Sequence, residues 1–174
     1  MKIATQHCAE FDRLGELIAG ISVGMLTHID AHGALVSRPM APLEMDTSGA
    51  LWFFTSLESA KIEHLRAVNL AFTDTRHSTY VSLSGRGEID VDRNRIERMW
   101  TPFAKPWFPD GPESPDLALL KFLPDTAEYW DAPHSRMVRM LAMAASVATG
   151  KPIALGEHAT LGALSDVTAR RASV

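Results

Sequence analysis

The sequence is poor in cysteine, in long apolar runs and in positive charge. Cys8 is the only cysteine, so no disulfide can form within the chain, and a reducing compartment fits this usage. No apolar run approaches the roughly 18 residues that a membrane-spanning helix needs. The first residues turn acidic at Glu10 and Asp12 before any signal-peptide pattern develops. We therefore expect a cytoplasmic protein without a membrane segment.

The charge balance argues against a nucleic-acid partner. The 174 residues include 17 Lys and Arg against 21 Asp and Glu, a net charge of -4, whereas nucleic-acid-binding domains usually carry a basic surplus. Hydrophobic residues make up 46% of the chain and charged residues 22%, which is ordinary for a globular domain. We expect a single domain over residues 1–156, followed by a weakly structured tail at 157–174.

Short apolar stretches separated by turn residues fill most of the chain. The pattern predicts seven strands, at 21–29, 34–40, 50–55, 68–73, 79–91, 117–123 and 127–131. Helices are predicted over 8–18, 58–66 and 135–149, and from Asp92 onward. Because the strands follow one another through short turns, we predict a mainly β protein with some α, built on an antiparallel sheet or small barrel.

Two stretches carry further structural signals. Gly85 and Gly87 lie inside the long strand at 79–91 and indicate a bend or a close approach by another group. Residues 101–115 hold five prolines together with Trp107 and Phe108. We expect a structured loop there, because large aromatic side chains gain most from burial.

The stretch 51–61 changes abruptly from apolar to polar residues. Thr55 and Glu58 have the spacing of a capping box, which predicts that a helix begins there. A helix N-terminus offers unpaired N–H groups and a partial positive charge, and Ser59 and Lys61 add a hydroxyl and a full charge. These residues could bind a phosphate. The simpler alternative, an ordinary strand-to-helix turn with a solvated lysine, is favoured when this stretch is considered alone.

Two other motifs have little weight. Residues 20–24 match the G-x-S-x-G pattern of serine hydrolases, but that chemistry needs a strand followed by a helix, and here a predicted helix precedes the motif. His28 and His32 are four residues apart, a spacing that brings side chains together only on a helix. We expect both histidines to lie on the surface, and we predict no metal site.

Six segments occur in an order and at spacings that resemble a known family. They are 33–40, 51–55, 59–61, 80–85, 107–111 and 127–131. Over about residues 11–150 they resemble the general-stress-protein branch of the pyridoxamine 5′-phosphate oxidase-like flavin-binding split barrels. The resemblance implies a six- to seven-stranded antiparallel split β-barrel with flanking helices. It also implies a homodimer with two flavin mononucleotides (FMN) in clefts between the protomers.

The same resemblance assigns roles to individual residues. Arg38 would hold the phosphate or ribityl end of the flavin, and Lys61 would supply a second positive charge. Thr55 and Ser59 would donate hydrogen bonds to the phosphate. Ser37, Pro39 and Met40 would contact the isoalloxazine ring through their backbone. Trp107, from this or the other subunit, would stack over the cleft. The remaining expected contacts are Phe54, Ser84 and Trp130.

Two departures from the family pattern matter. Related oxidases often have a basic residue just before the position of Lys61, where this chain has Ala60, so weaker phosphate binding is expected. The basic residues that hold the substrate phosphate in true pyridoxamine phosphate oxidases have no counterpart, which argues against vitamin B6 oxidation. No catalytic residue is identified. We expect a flavin-dependent oxidoreductase of unknown substrate; the alternatives are a non-catalytic flavin carrier or sensor, and a split barrel for another cofactor such as a deazaflavin or haem.

Overall fold

A computed structural model describes residues 1–59, 64–131 and 157–161, and these residues form nine strands and two α-helices. The strands are β1 (Lys2–Ile3), β2 (Gly24–Ile29), β3 (Leu35–Met40), β4 (Pro42–Met45), β5 (Leu51–Ser56), β6 (Val68–Asp74), β7 (Thr79–Asp90), β8 (Leu117–Asp131) and β9 (Glu157–Leu161). The helices are α1 (Ala9–Ile18) and α2 (Arg93–Met99), and two 3₁₀ turns, Pro102–Ala104 and Gly111–Glu113, lie between α2 and β8.

All described strands belong to one sheet in the order β1-β4-β5-β8-β7-β6-β2-β3, with β9 beside β8. Every pairing is antiparallel except that of β1 with β4. The sheet curls into a half-barrel, and the helices flank it. The predicted class, a mainly β split barrel with flanking helices, is confirmed.

The described strands differ from the sequence prediction in four respects. Strands β1, β4 and β9 were not predicted, and the two strands expected at 117–123 and 127–131 form the single strand β8. Strand β9 occupies the first residues of the expected weakly structured tail and pairs with Ala127–Asp131. The helix predicted at 135–149 and the rest of the tail lie outside the described residues, as does part of the helix predicted at 58–66.

The apolar run at the start of the 51–61 stretch is explained by burial on both faces of β5. Leu51 and Phe53 point into the main core with α1 and the inner side of the sheet. Trp52 packs instead in a second cluster with Ile96 of α2, and Phe54 contacts the rings of Trp100 and Phe108. A strand buried on both faces loses the usual alternation of apolar and polar residues.

The expected irregularity in the long strand is present at Gly85. The register between β7 and β8 shifts between Ser84 and Gly85. A Cβ atom on Gly85 would lie 2.1 Å from the carbonyl oxygen of Leu123. The bulge therefore needs a glycine because the neighbouring backbone occupies the space of a side chain.

In the described part of the chain, no helix combines the length and apolar character needed to cross a membrane.

Candidate functional site

Arg38 lies near the end of β3, with its guanidinium group on the inner side of the sheet. One terminal nitrogen, Nη1, donates a hydrogen bond to Ser59 Oγ at 3.1 Å. The other, Nη2, lies 3.4 Å from Nε2 of His28 on the neighbouring strand β2. Arg38 Nε is buried and has no hydrogen-bond partner among the described residues. A buried N–H donor without a partner is costly, so this side chain suits an anionic acceptor supplied by a ligand.

Thr55 and Ser59 lie at the carboxyl end of β5. Thr55 is still inside the strand, pairs with Ala118 of β8 and is buried at 3% exposure. Its hydroxyl oxygen is a second buried polar atom without a hydrogen-bond partner in the described part of the protein. The chain then turns, and the N–H of Ser59 donates to the carbonyl oxygen of Ser56 at 3.1 Å.

The prediction of a capping box at Thr55 is wrong. The N–H of Glu58 donates a hydrogen bond to Ser56 Oγ, at 3.1 Å, and the hydroxyl of Thr55 does not cap it. The reason is that β5 continues to Ser56, so the alternation of side chains turns Thr55 inward beside Phe53.

His28 was expected on the surface, and this prediction is wrong. Its side chain is 2% exposed, and it lies on the same side of β2 as Leu26. The ring of His64 stacks parallel to it, with the ring centroids 6.1 Å apart. The period-two pattern of β2 is the signal that could have found it, because residues 24, 26 and 28 share the inner face. His32 is exposed, as expected.

An acidic group lies close to these histidines. Asp30 follows β2, and its carboxylate accepts hydrogen bonds from the backbone N–H groups of Ala34 and His32, at 2.9 and 2.8 Å. These bonds, first from Ala34 and then from His32, lower the pKa of Asp30, and a positive charge on His64 or His28 would lower it further. Asp30 therefore stays ionised over the range in which histidines titrate.

Several predicted contacts lie on the opposite face of the sheet from Arg38. Ser37, Thr27, Asn69, Ser84 and Thr126 are register partners across five strands and form one polar row on that face. Hydrogen bonds join Thr27 to Ser37 at 2.7 Å and Asn69 to Ser84 at 3.4 Å. The structure therefore does not bring the side chains of Ser37 and Ser84 to the guanidinium of Arg38.

The remaining predicted residues are dispersed around the sheet. Met40 is buried in the main core, and Pro39 and Trp130 are exposed on the face of the polar row. Phe54 is half-buried against the second cluster. The proline-rich loop buries Phe108 at 7% exposure but leaves Trp107 75% exposed, so the expected burial holds for only one of the two rings.

Lys61 and Ala60 lie outside the described residues, so the convergence of Lys61 with Arg38 stays a prediction. Likewise, the assignment of all these residues to a cofactor stays a prediction at this point. In the described ranges, no three His, Cys, Asp or Glu side chains gather closely enough to hold a metal ion.

A curled antiparallel sheet, with an inward-facing arginine on β3 beside the end of β5, defines the class as a split β-barrel with a candidate anion site. The chain belongs to the pyridoxamine 5′-phosphate oxidase-like family, whose sequence model matches residues 9–153. The resemblance drawn from the sequence motifs is thereby confirmed. Among characterised proteins, Protein bli-3 of Neurospora crassa is 30% identical over 140 residues, which cover 74% of this chain and 67% of that protein.

Solved structures agree with this assignment. A protein assigned as general stress protein 26 from Jannaschia sp. CCS1 matches with a TM-score of 0.69 at 28% identity, covering 89% of this chain and 99% of that one. The general stress FMN/FAD binding protein of Xanthomonas citri matches with a TM-score of 0.60 at 32% identity, covering 71% and 89% of the two chains.

Proposed function

We propose that the protein binds a flavin, FMN, and holds its phosphate between Arg38 and the end of β5. The observation that carries this proposal is the guanidinium of Arg38, fixed on Ser59 while its buried Nε has no partner in the described residues. A phosphate monoester carries about two negative charges at neutral pH and accepts several hydrogen bonds. Arginine offers donors in a planar fork that suits such an acceptor.

The donor set fits this group in two further respects. The hydroxyl of Thr55 is buried and unpaired within the described chain, and Ser59 already contacts Arg38, so both hydroxyls are suited to donate to phosphate oxygens. Lys61, two residues beyond Ser59, would add the second positive charge that a dianion favours. The name of the X. citri relative, an FMN/FAD binding protein, supports a flavin as the ligand.

We further propose that the protein is an oxidoreductase of the general stress type, with an unknown substrate. A bound flavin would supply the redox chemistry, and the chain would bind and orient it. The alternative is a non-catalytic carrier or sensor with the same cofactor site. The two are separated by reducing the bound flavin in the absence of oxygen and then adding candidate electron acceptors. An acceptor that reoxidises the flavin faster than air does supports the oxidoreductase.

The assembly we propose is a homodimer that faces its partner through the side of the sheet that carries the polar row. Five large apolar side chains on that face are 42–75% exposed: Met25, Ile29, Leu35, Tyr80 and Trp130. They alternate with the polar row along the same strands, so together they form one surface, here called the open sheet face. Clustered exposed apolar groups of this kind are typical of an interaction surface.

The cofactor proposal is tested by the absorption spectrum of freshly purified protein and by titration with FMN, FAD and riboflavin. We expect FMN to bind most tightly, because only FMN ends in a phosphate monoester. Riboflavin should bind about 10-fold or more weakly, since it loses at least one charge-assisted hydrogen bond. Protein that is colourless and binds none of the three refutes the proposal. Equal affinity for FMN and riboflavin would support flavin binding but exclude a phosphate-binding role for these residues.

A further inference from the structure

A buried histidine beside the candidate phosphate site has no part in the function proposed so far. His28 is 2% exposed, and its Nε2 lies 3.4 Å from Nη2 of Arg38. Its Nδ1 lies 3.3 Å from the carbonyl oxygen of Ile29. Both ring nitrogens therefore face polar groups. The ring of His64 stacks parallel to that of His28, with the ring centroids 6.1 Å apart.

The chemistry of these neighbours fixes the protonation of the ring. A guanidinium group can only donate hydrogen bonds, so His28 Nε2 must accept and carries no proton. A carbonyl oxygen can only accept, so Nδ1 carries the proton and donates to Ile29. The geometry of Arg38 therefore requires a neutral His28 in one tautomer. Protonation would place two N–H donors and two positive charges against each other.

We propose that neutral His28 is a positioning residue that aims the Arg38 guanidinium at the flavin phosphate, and that protonation of His28 releases it. This inference rests on the proposed function. Two anchors then hold the guanidinium, Ser59 Oγ on Nη1 and His28 on Nη2, which leaves the buried Nε for the ligand. Affinity for FMN falls as the pH drops through the range in which histidine takes up a proton.

Charged and titratable groups around the His28 ring include Arg38 on β3, the stacked ring of His64, and Asp30 in the turn after β2. The phosphate of FMN also takes up a proton near pH 6, and this loss of charge weakens binding in any variant. The effect of His28 is therefore measured as a difference between proteins.

The experiment compares the wild type with His28→Gln, whose amide oxygen can accept from Arg38 but cannot be protonated in this range. FMN dissociation constants are measured for both at about pH 8 and about pH 5.5. We expect similar affinities at the higher pH. At the lower pH the wild type should lose about fivefold more affinity than His28→Gln, the scale of one hydrogen bond. His32→Gln, an exposed histidine four residues away, is the matched control and should follow the wild type.

Two further measurements keep the test decisive. Riboflavin, which lacks the phosphate, should show no difference between wild type and His28→Gln. Nitrogen NMR of wild-type protein at the higher pH, which needs no substitution, should show a neutral His28 ring with its proton on Nδ1. A proton on Nε2 would overturn the inference even if His28→Gln did not fold.

The outcomes separate the two proposals. If the wild type binds FMN and His28→Gln shows the same pH dependence, the inference fails and the proposed function stands. If the wild type binds no flavin at either pH, the proposed function fails and the inference with it. Both proposals are supported if the wild type loses more FMN affinity at low pH than His28→Gln does, and if riboflavin shows no such difference.

Discussion

At the scale of single residues, the Arg38 guanidinium has more donors than the described protein satisfies. Nη1 and Nη2 contact Ser59 and His28, whereas Nε is buried and has no partner among the described residues. An unsatisfied buried donor is rare in folded proteins because it has lost its water and gained no bond in return. A ligand that supplies the missing acceptor gains this energy when it binds, so affinity should depend strongly on Arg38.

We expect Arg38→Ala to weaken FMN binding by about 1.5–3 kcal/mol, the value of a hydrogen bond to a charged group. Arg38→Lys keeps the charge but loses the planar fork, so it should recover only part of the affinity. Isothermal titration with FMN measures both. Riboflavin binding should change little, because the loss concerns the phosphate.

The control for Arg38 is Arg86→Ala. Arg86 also lies on a strand, but it forms an exposed ion pair with Asp125 at 2.8 Å. Exposed pairs contribute little, so this variant should bind FMN as the wild type does. An equal loss in both variants would mean that the effect is one of net charge, which contradicts a local site.

The residue scale also shows what sequence reasoning could and could not find. The contact between Arg38 and Ser59 joins two residues that the family resemblance assigns to one site, although 21 positions separate them in the chain. The burial of His28 follows from its place in the alternation of β2, about which its spacing from His32 carries no information. Ser37 points away from Arg38 because adjacent side chains of a strand lie on opposite faces. Ser84 shares the face of Ser37 through the register of the strands between them, which no single strand pattern specifies.

At the scale of elements, the bulge between β7 and β8 depends on one glycine. We expect Gly85→Ala to lower the free energy of unfolding by about 2 kcal/mol or more, because the new methyl group meets the Leu123 carbonyl and the backbone must move. Urea unfolding measures the change. Gly20→Ala is the matched control, since no atom of the described residues lies within 4 Å of a Cβ there. Equal, small effects in the two variants would show that the sheet relaxes around the bulge.

A second element-scale prediction concerns the proline-rich loop before β8. The guanidinium of Arg93 in α2 donates to three carbonyl oxygens of this loop and to that of Leu117 at the start of β8, the shortest bond being 3.0 Å to Ser114. We expect Arg93→Ala to cost about 1–2 kcal/mol of stability and to expose the loop to proteases. Thermal unfolding and limited proteolysis measure the two effects. Arg98→Ala, at an exposed position of the same helix, is the control. A loop that resists proteases equally well in Arg93→Ala and in the wild type would contradict a stabilising role of Arg93.

The elements that the sequence predicted well are those with a clear local pattern. Helix α1 was predicted to within a residue because Phe11, Leu14, Leu17 and Ile18 mark one buried face. Strand β4 was missed because it is four residues long and begins with a proline. Strands β8 and β9 depend on pairing with distant strands. The local signal of Pro124 and Asp125 predicts a break, whereas pairing with β7 continues on both sides of them and β8 is one strand.

At the scale of the whole molecule, the open sheet face is the feature that a single chain leaves incomplete. The opposite side of the same strands packs the main core, with Leu26, Leu70 and Leu83 fully buried. On the open face, Leu35 is 75% exposed and Ile29 is 49% exposed. A stable dimer buries about 800 Å² on each partner, and a sheet face of several strands offers an area of that order. A second copy of the chain would cover it through a two-fold axis.

We therefore expect the purified protein to have twice the 19.1 kDa mass of one chain, as measured by light scattering or sedimentation. Leu35→Glu should shift it towards monomer, because each two-fold contact would bury two new carboxylates in an apolar surface. Val91→Glu is the control: Val91 is also exposed, at 55%, but follows the opposite end of β7. If the cofactor cleft includes the partner chain, Leu35→Glu should also lose FMN affinity at low protein concentration and recover it at high concentration. A Leu35→Glu protein that stays dimeric would place the interface on another surface.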